Sequence, residues 1–172
     1  MISPSYCQRM AEYNQWMNQR LFDVCGALSD EERKRDRGAF FRSIHGTLNH
    51  LLYGDRAWLG RFTGCPASLP ALGQDLYADF EELRRQRDLT DQALLLWASQ
   101  LSESWLAQPL AYTSSVDNQP RCLPAWVLVT HLFNHQTHHR GQVTTLLSQA
   151  GHDPGVTDLP WLPTLRADAQ DR

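Results

Sequence analysis

From residue 6 onward, apolar side chains return at spacings of three and four: Tyr6, Met10, Tyr13, Met17, Leu21, Val24 and Leu28, with Gln8, Arg9, Glu12, Gln15 and Gln19 between them. That period predicts an amphipathic helix, and Ser3-Pro4 supplies its start signal. Ser29-Asp30 and the charge run Glu31 to Arg37 read as a solvated exit loop. A second helix is predicted from Ser43 to Phe62, with Ile44, Leu48, Leu51, Asp55, Trp58 and Phe62 on one stripe, until Gly64-Cys65-Pro66 breaks it. After a loop from Ala67 to Gly73, Leu76 to Arg87 and Asp91 to Leu106 form a third helical region. An interruption is expected near Leu89-Thr90, where Thr90-Asp91 resembles a restart cap. The period is lost between Gln108 and Pro124, which predicts an extended segment or irregular hairpin. A last helix is predicted from Pro124 or Ala125 to Gly151. The tail from His152 to Arg172 contains Pro154, Pro160 and Pro163 and cannot be helical throughout. Four long amphipathic segments with moderate connections predict an all-α four-helix bundle, a single domain over 1–172.

Composition narrows the function classes. A net charge of −3 argues against a protein that neutralises a nucleic-acid backbone, and no apolar run approaches the length of a membrane span. The N-terminal residues lack the pattern of a secretory signal, so a cytoplasmic location is expected. Cys7, Cys25, Cys65 and Cys122 form no Cys-x-x-Cys pair and read as reduced thiols. Lys34 is the single lysine, which leaves almost no room for lysine chemistry.

Histidine is the uneven residue, with four of seven lying between His131 and His139. At roughly 100° per residue, with His135 at zero, Leu128 and Leu146 fall near +20°, His139 near +40° and Leu132 near +60°, whereas His131 and His138 fall near −40° and −60°. His135 and His139 are therefore the inward pair, four apart and able to share one ion. Two nitrogens seldom hold a transition metal tightly, and His50 is the best third ligand. Its neighbours on the same face of its helix are Gly46, Gly54 and Ala57, all small enough to admit a partner helix and an ion. His45 points elsewhere and is expected at the surface or in packing. The absence of Glu-x-x-His disfavours a carboxylate-bridged diiron site, and the absence of His-Glu-x-x-His removes the zincin reading.

At these residues the chain resembles the DinB/YfiT-like family of bacterial four-helix-bundle metalloproteins, which is distinct from the DNA polymerase that shares the name. The resemblance runs through Tyr13-Asn14-Gln-Trp16-Met-Asn18, Leu48-Asn49-His50-Leu51 with Asp55 and Trp58, and His135-Gln-Thr-His138-His139-Arg140-Gly141-Gln142. It implies a divalent ion, zinc or nickel, on His50, His135 and His139. It also implies a homodimer and, in some relatives, transfer of low-molecular-weight thiols. Asp158-Leu-Pro-Trp161 matches the family too and is expected to pack on the bundle.

Three neutral imidazoles leave an ion its full charge and an open position, the pattern of catalytic zinc. A hydrolase and a thiol S-transferase acting on a small molecule, in particular a thiol, are both chemically available. Asp55 and His131 are the weak candidates for a catalytic acid or base. Asn14 and Asn18 either orient a ligand or bond across helices. The alternative is a non-catalytic, metal-stabilised bundle that serves ligand sensing or a stress response.

Overall fold

The computed structural model describes residues 1–165. Its four long helices are α1 (Pro4–Gly26), α3 (Ile44–Thr63), α4 (Phe80–Ser99) and α6 (Ala125–Gln149). Each of the first three starts where a side chain takes up a free amide: Ser3 accepts from the Tyr6 N–H, Ser43 from Gly46 and Asp79 from Glu82. α3 stops where Gly64 turns left-handed at φ 70°. α6 follows Pro124, which supplies no side-chain cap.

Two local expectations are corrected. The charge run is not all loop: Ser29 caps a short helix, α2 (Asp30–Lys34). The third helical region is not interrupted at Leu89-Thr90. The Thr90 hydroxyl bonds back to the Gln86 carbonyl at 2.8 Å inside a continuous α4, and Arg87 and Asp91 form an i,i+4 ion pair at 2.9 Å across the expected break. Inward-facing Leu83, Arg87, Thr90, Asp91, Leu94 and Trp97 lie on one buried face, so tertiary contact holds the helix straight through a weak local signal. The break lies instead beyond Ser99, and Ser102 then caps the short α5 (Glu103–Ala107). The aperiodic stretch is a hairpin, β1 (Pro109–Thr113) paired antiparallel with β2 (Pro120–Pro124), with Ala111 opposite Cys122.

α1 packs on α4, α4 on α3, α3 on α6 and α6 on α1, which closes a four-helix bundle. Two apolar clusters fill it. One gathers Met17, Leu21, Leu48, Leu51, Leu83 and Leu147, the other Trp58, Phe62, Leu94, Trp97, Leu128 and Phe133. All four helices also supply buried polar side chains. Asn18 donates to Asp91 at 2.9 Å, Arg87 pairs with Asp91 and with Asp55 at 2.7 Å, Gln136 donates to Asp55, and Arg140 donates to Asn14. Two carboxylates face two guanidinium groups, so formal charge cancels inside the bundle. Burial still pushes the Asp55 carboxyl up and that of Asp91 to about 6, against the pull of Arg87.

Within the described residues the tail packs on the bundle through Leu159 and Leu162, whereas Asp158 and Trp161 of the expected packing motif stay exposed. Leu159–Trp161 form a 3₁₀ turn, Leu162 is buried, and the Tyr13 hydroxyl donates to the Thr157 carbonyl. The part of the expectation that falls on 166–172 lies outside the described residues. Among the described residues, no helix is long and apolar enough to cross a membrane.

Candidate metal centre

α3 and α6 run antiparallel, with Trp58 beside His131, Gly54 against His135, and His50 facing both His135 and His139. The His50 Nε2 lies 3.0 Å from that of His135 and 3.1 Å from that of His139. Together the three residues form a group that can hold a metal ion. Ligand nitrogens at ~2.0–2.1 Å from a tetrahedral ion stand about 3.3–3.4 Å apart, so a few tenths of an ångström separate this arrangement from a coordinating one. Burial, reinforced by the neighbouring imidazoles, lowers His135 to about 3 and His50 to about 4, and burial also lowers His139. The rings are therefore neutral near pH 7. A proton on one Nε2 serves a single contact well, whereas one cation satisfies all three lone pairs. The donor set fits a divalent ion.

The surroundings fix the rings. The His139 Nδ1 is 2.8 Å from the Gln142 Oε1, an atom that can only accept, so Nδ1 carries the hydrogen and Nε2 is left bare. The Gln142 amide nitrogen in turn donates to the His138 Nε2 at 3.2 Å, so His138 orients the side chain that holds His139. Phe41 lies flat on His50, with centroids 3.8 Å apart and planes at 17°, and meets His139 edge-on at 5.5 Å. Gly54 is the cradle for His135: a Cβ there would sit 2.7 Å from the ring Cε1 and 3.1 Å from Nδ1. Gly46, by contrast, makes room for the Phe41 carbonyl and not for a partner helix.

The other expected residues part company here. His45 is a packing residue and not a surface one: it is buried, and its Nε2 meets the Tyr77 carbonyl at 2.9 Å. Asp55 is completely buried and held by Arg87 and Gln136, so it offers no carboxylate to a substrate. Asn14 and Asn18 bond across helices. His131 has its ring 5.1 Å from Trp58 and 5.9 Å from His135. It lines a cavity of about 310 Å³ together with His50, Gly54, Arg61, Tyr112 and His135. A second cavity of about 490 Å³, lined by Phe41, Arg42, Tyr53 and Asp75, also reaches His50. Phe41 had no periodic signal to mark it, and Arg61, though spaced to share the face of His50, was not singled out. Gln142 was visible three residues after His139, but its role needed the helix to be folded.

The model of the DinB family matches residues 1–172. Protein DinB of Bacillus subtilis (strain 168) is 30% identical over 156 residues, covering 87% of this chain and 89% of its own length. A crystal structure of a DinB-like protein from Bacillus cereus ATCC 10987 superposes with a TM-score of 0.63 at 22% identity, covering 84% of this chain and 91% of that one, and so shares the fold. A match along the whole sequence, a relative at this identity and a helical bundle that carries three converging histidines lead to one conclusion: this chain belongs to the DinB family.

Proposed function

We propose that the protein is a metal-dependent enzyme, a hydrolase or a low-molecular-weight thiol S-transferase, with zinc or nickel held by His50, His135 and His139. The observation that carries this reading is the convergence of three neutral Nε2 atoms beside open cavities. A divalent ion held there supplies Lewis acidity toward a water or a thiol. The protein's own groups do the rest. Gln142 holds His139 with its lone pair inward, Phe41 holds the plane of His50, and Gly54 lets His135 approach α3. His131, whose pKa partial desolvation lowers, presents a ring in the wall of the smaller cavity, where it can take a proton from a bound small molecule. The proposal includes a homodimer in the cytoplasm, to be checked by sedimentation and by cell fractionation.

Untagged protein should carry near-stoichiometric metal by elemental analysis, lost in His135→Ala and His139→Ala. Full occupancy in both variants refutes the ligand set. Low-molecular-weight thiols tested against simple esters and amides then decide between transfer and hydrolysis. The ligands also join α3 to α6, which favours a second reading, a metal-stabilised bundle without turnover. Chelation that lowers the melting temperature while no substrate is consumed would select it.

A further inference from the structure

α3 carries a second chemical group toward the same cavity. His50, Gly54, Ala57 and Arg61 follow one another at spacings of four, three and four, so they share a face of the helix. Side chains on a helix lean toward its N-terminus, and Arg61 accordingly folds back over Trp58, with its Cζ 4.5 Å from that ring and 5.3 Å from the ring of Tyr112. One end of the guanidinium is pinned, since Nη2 donates to the Ser115 hydroxyl at 2.7 Å and to the Thr113 carbonyl at 3.3 Å. Nε and Nη1 make no hydrogen bond, and no carboxylate pairs with Arg61 among the described residues. Partial burial already lowers its pKa, a sign that water is being stripped from a cation without a counter-ion. Two aromatic faces compensate only in part.

Resting on the metal reading above, we propose that Arg61 is the anchor for a substrate carboxylate, so the enzyme acts on small molecules that carry a metal-directed group at one end and a carboxylate at the other. The rest of the wall sets the middle of such a molecule. Trp58, Tyr112, Ala57 and Val116 are apolar or aromatic, which suits a short hydrocarbon spacer. At about 310 Å³ the space is at the low end of the ~300–1,000 Å³ typical of small-ligand sites. Arg61 is the only arginine or lysine in this lining. A single carboxylate balances the charge of this guanidinium. A charge-assisted hydrogen bond in such a site is roughly twice as strong as a neutral one.

The test uses the full chain loaded with cobalt(II), whose visible absorption reports occupancy. Binding of 3-mercaptopropionate and of its methyl ester is measured by titration calorimetry. In the wild type the acid should bind at least tenfold more tightly than the ester, about 1.4 kcal/mol. In Arg61→Gln the acid should fall to the affinity of the ester, with ester affinity, cobalt absorption and melting temperature unchanged. If Arg61→Gln does not fold, Arg61→Lys replaces it and should keep only part of the preference. Equal affinities in the wild type, or a full preference in the variant, overturn the anchor. A parallel titration of metal-free protein with 3-phenylpropionate and its amide separates the two ideas. Failure to take up cobalt with an Arg61-dependent preference for this acid retains the anchor and rejects the metal reading. Cobalt uptake without any preference does the reverse.

Discussion

Gly54→Ala isolates the geometry of the proposed metal site from the identity of its ligands. An added Cβ would stand 2.7 Å from the His135 Cε1, where carbon atoms in optimal contact are about 3.5–4.0 Å apart. The ring must therefore withdraw by roughly 0.8 Å, while metal–ligand distances hold within about 0.2 Å. Stability changes far less than this, because two terms oppose each other. Alanine in a helix interior gains about 0.8–1.0 kcal/mol over glycine, and overpacking costs about 1–3 kcal/mol. The net loss in metal-free protein should lie between about 0 and 2 kcal/mol, a fall of a few degrees in Tm for a chain of this size. Metal affinity should fall at least about 100-fold, since disturbing a ligand's support alone costs about 10–100-fold. Competition with a chromogenic chelator measures the affinity, and urea unfolding of metal-free protein measures the stability. Gly141→Ala on α6 is the control. Nothing lies within 4 Å of its added Cβ, so it should raise stability and leave affinity unchanged. Metal affinity in Gly54→Ala within about threefold of the wild type would refute the proposition that His135 coordinates from its seat against α3.

Gln142→Leu removes the acceptor for the His139 Nδ1–H, and metal affinity should drop about 10–100-fold with little change in metal-free stability, as read by the same competition assay. Arg87→Met leaves Asp55 and Asp91 buried without their partner. Urea unfolding should show a loss of about 3–5 kcal/mol, and a loss below 1 kcal/mol would contradict the charge balance inside the bundle. The folded-state pKa values of His50 and His135 lie below that of free histidine, so on acidification the unfolded chain takes up protons first. Metal-free protein should therefore lose stability as pH falls from about 6.5 to about 3, with no further loss from His50 below about 4 or from His135 below about 3. A flat urea midpoint across that window would contradict their burial.

Much of the architecture follows from local pattern. Apolar period together with start and stop signals locates α1, α3 and α6 to within a residue or two, and the loss of period marks the hairpin before α6. The inward pair His135 and His139 follows from 3.6 residues per turn, and the small residue at 54 marks the face that admits a partner. Local pattern misleads at Thr90-Asp91. A capping sequence there is overruled by Arg87 and Asp91, which are buried against Asp55 of α3 and Asn18 of α1.

The sequence by itself determined the helices, the face each one buries and the histidines able to converge, because backbone periodicity is a property of neighbouring residues. Only the tertiary structure decided that His50 meets both histidines of α6, that Phe41 covers it, that Asp55 is sealed in an ion pair while His131 stays at the cavity, and that Arg61 returns toward the same space. Those outcomes depend on the register between helices some 80 residues apart in sequence. That register is set by how whole faces pack, a sum over many weak contacts that no short stretch of sequence contains.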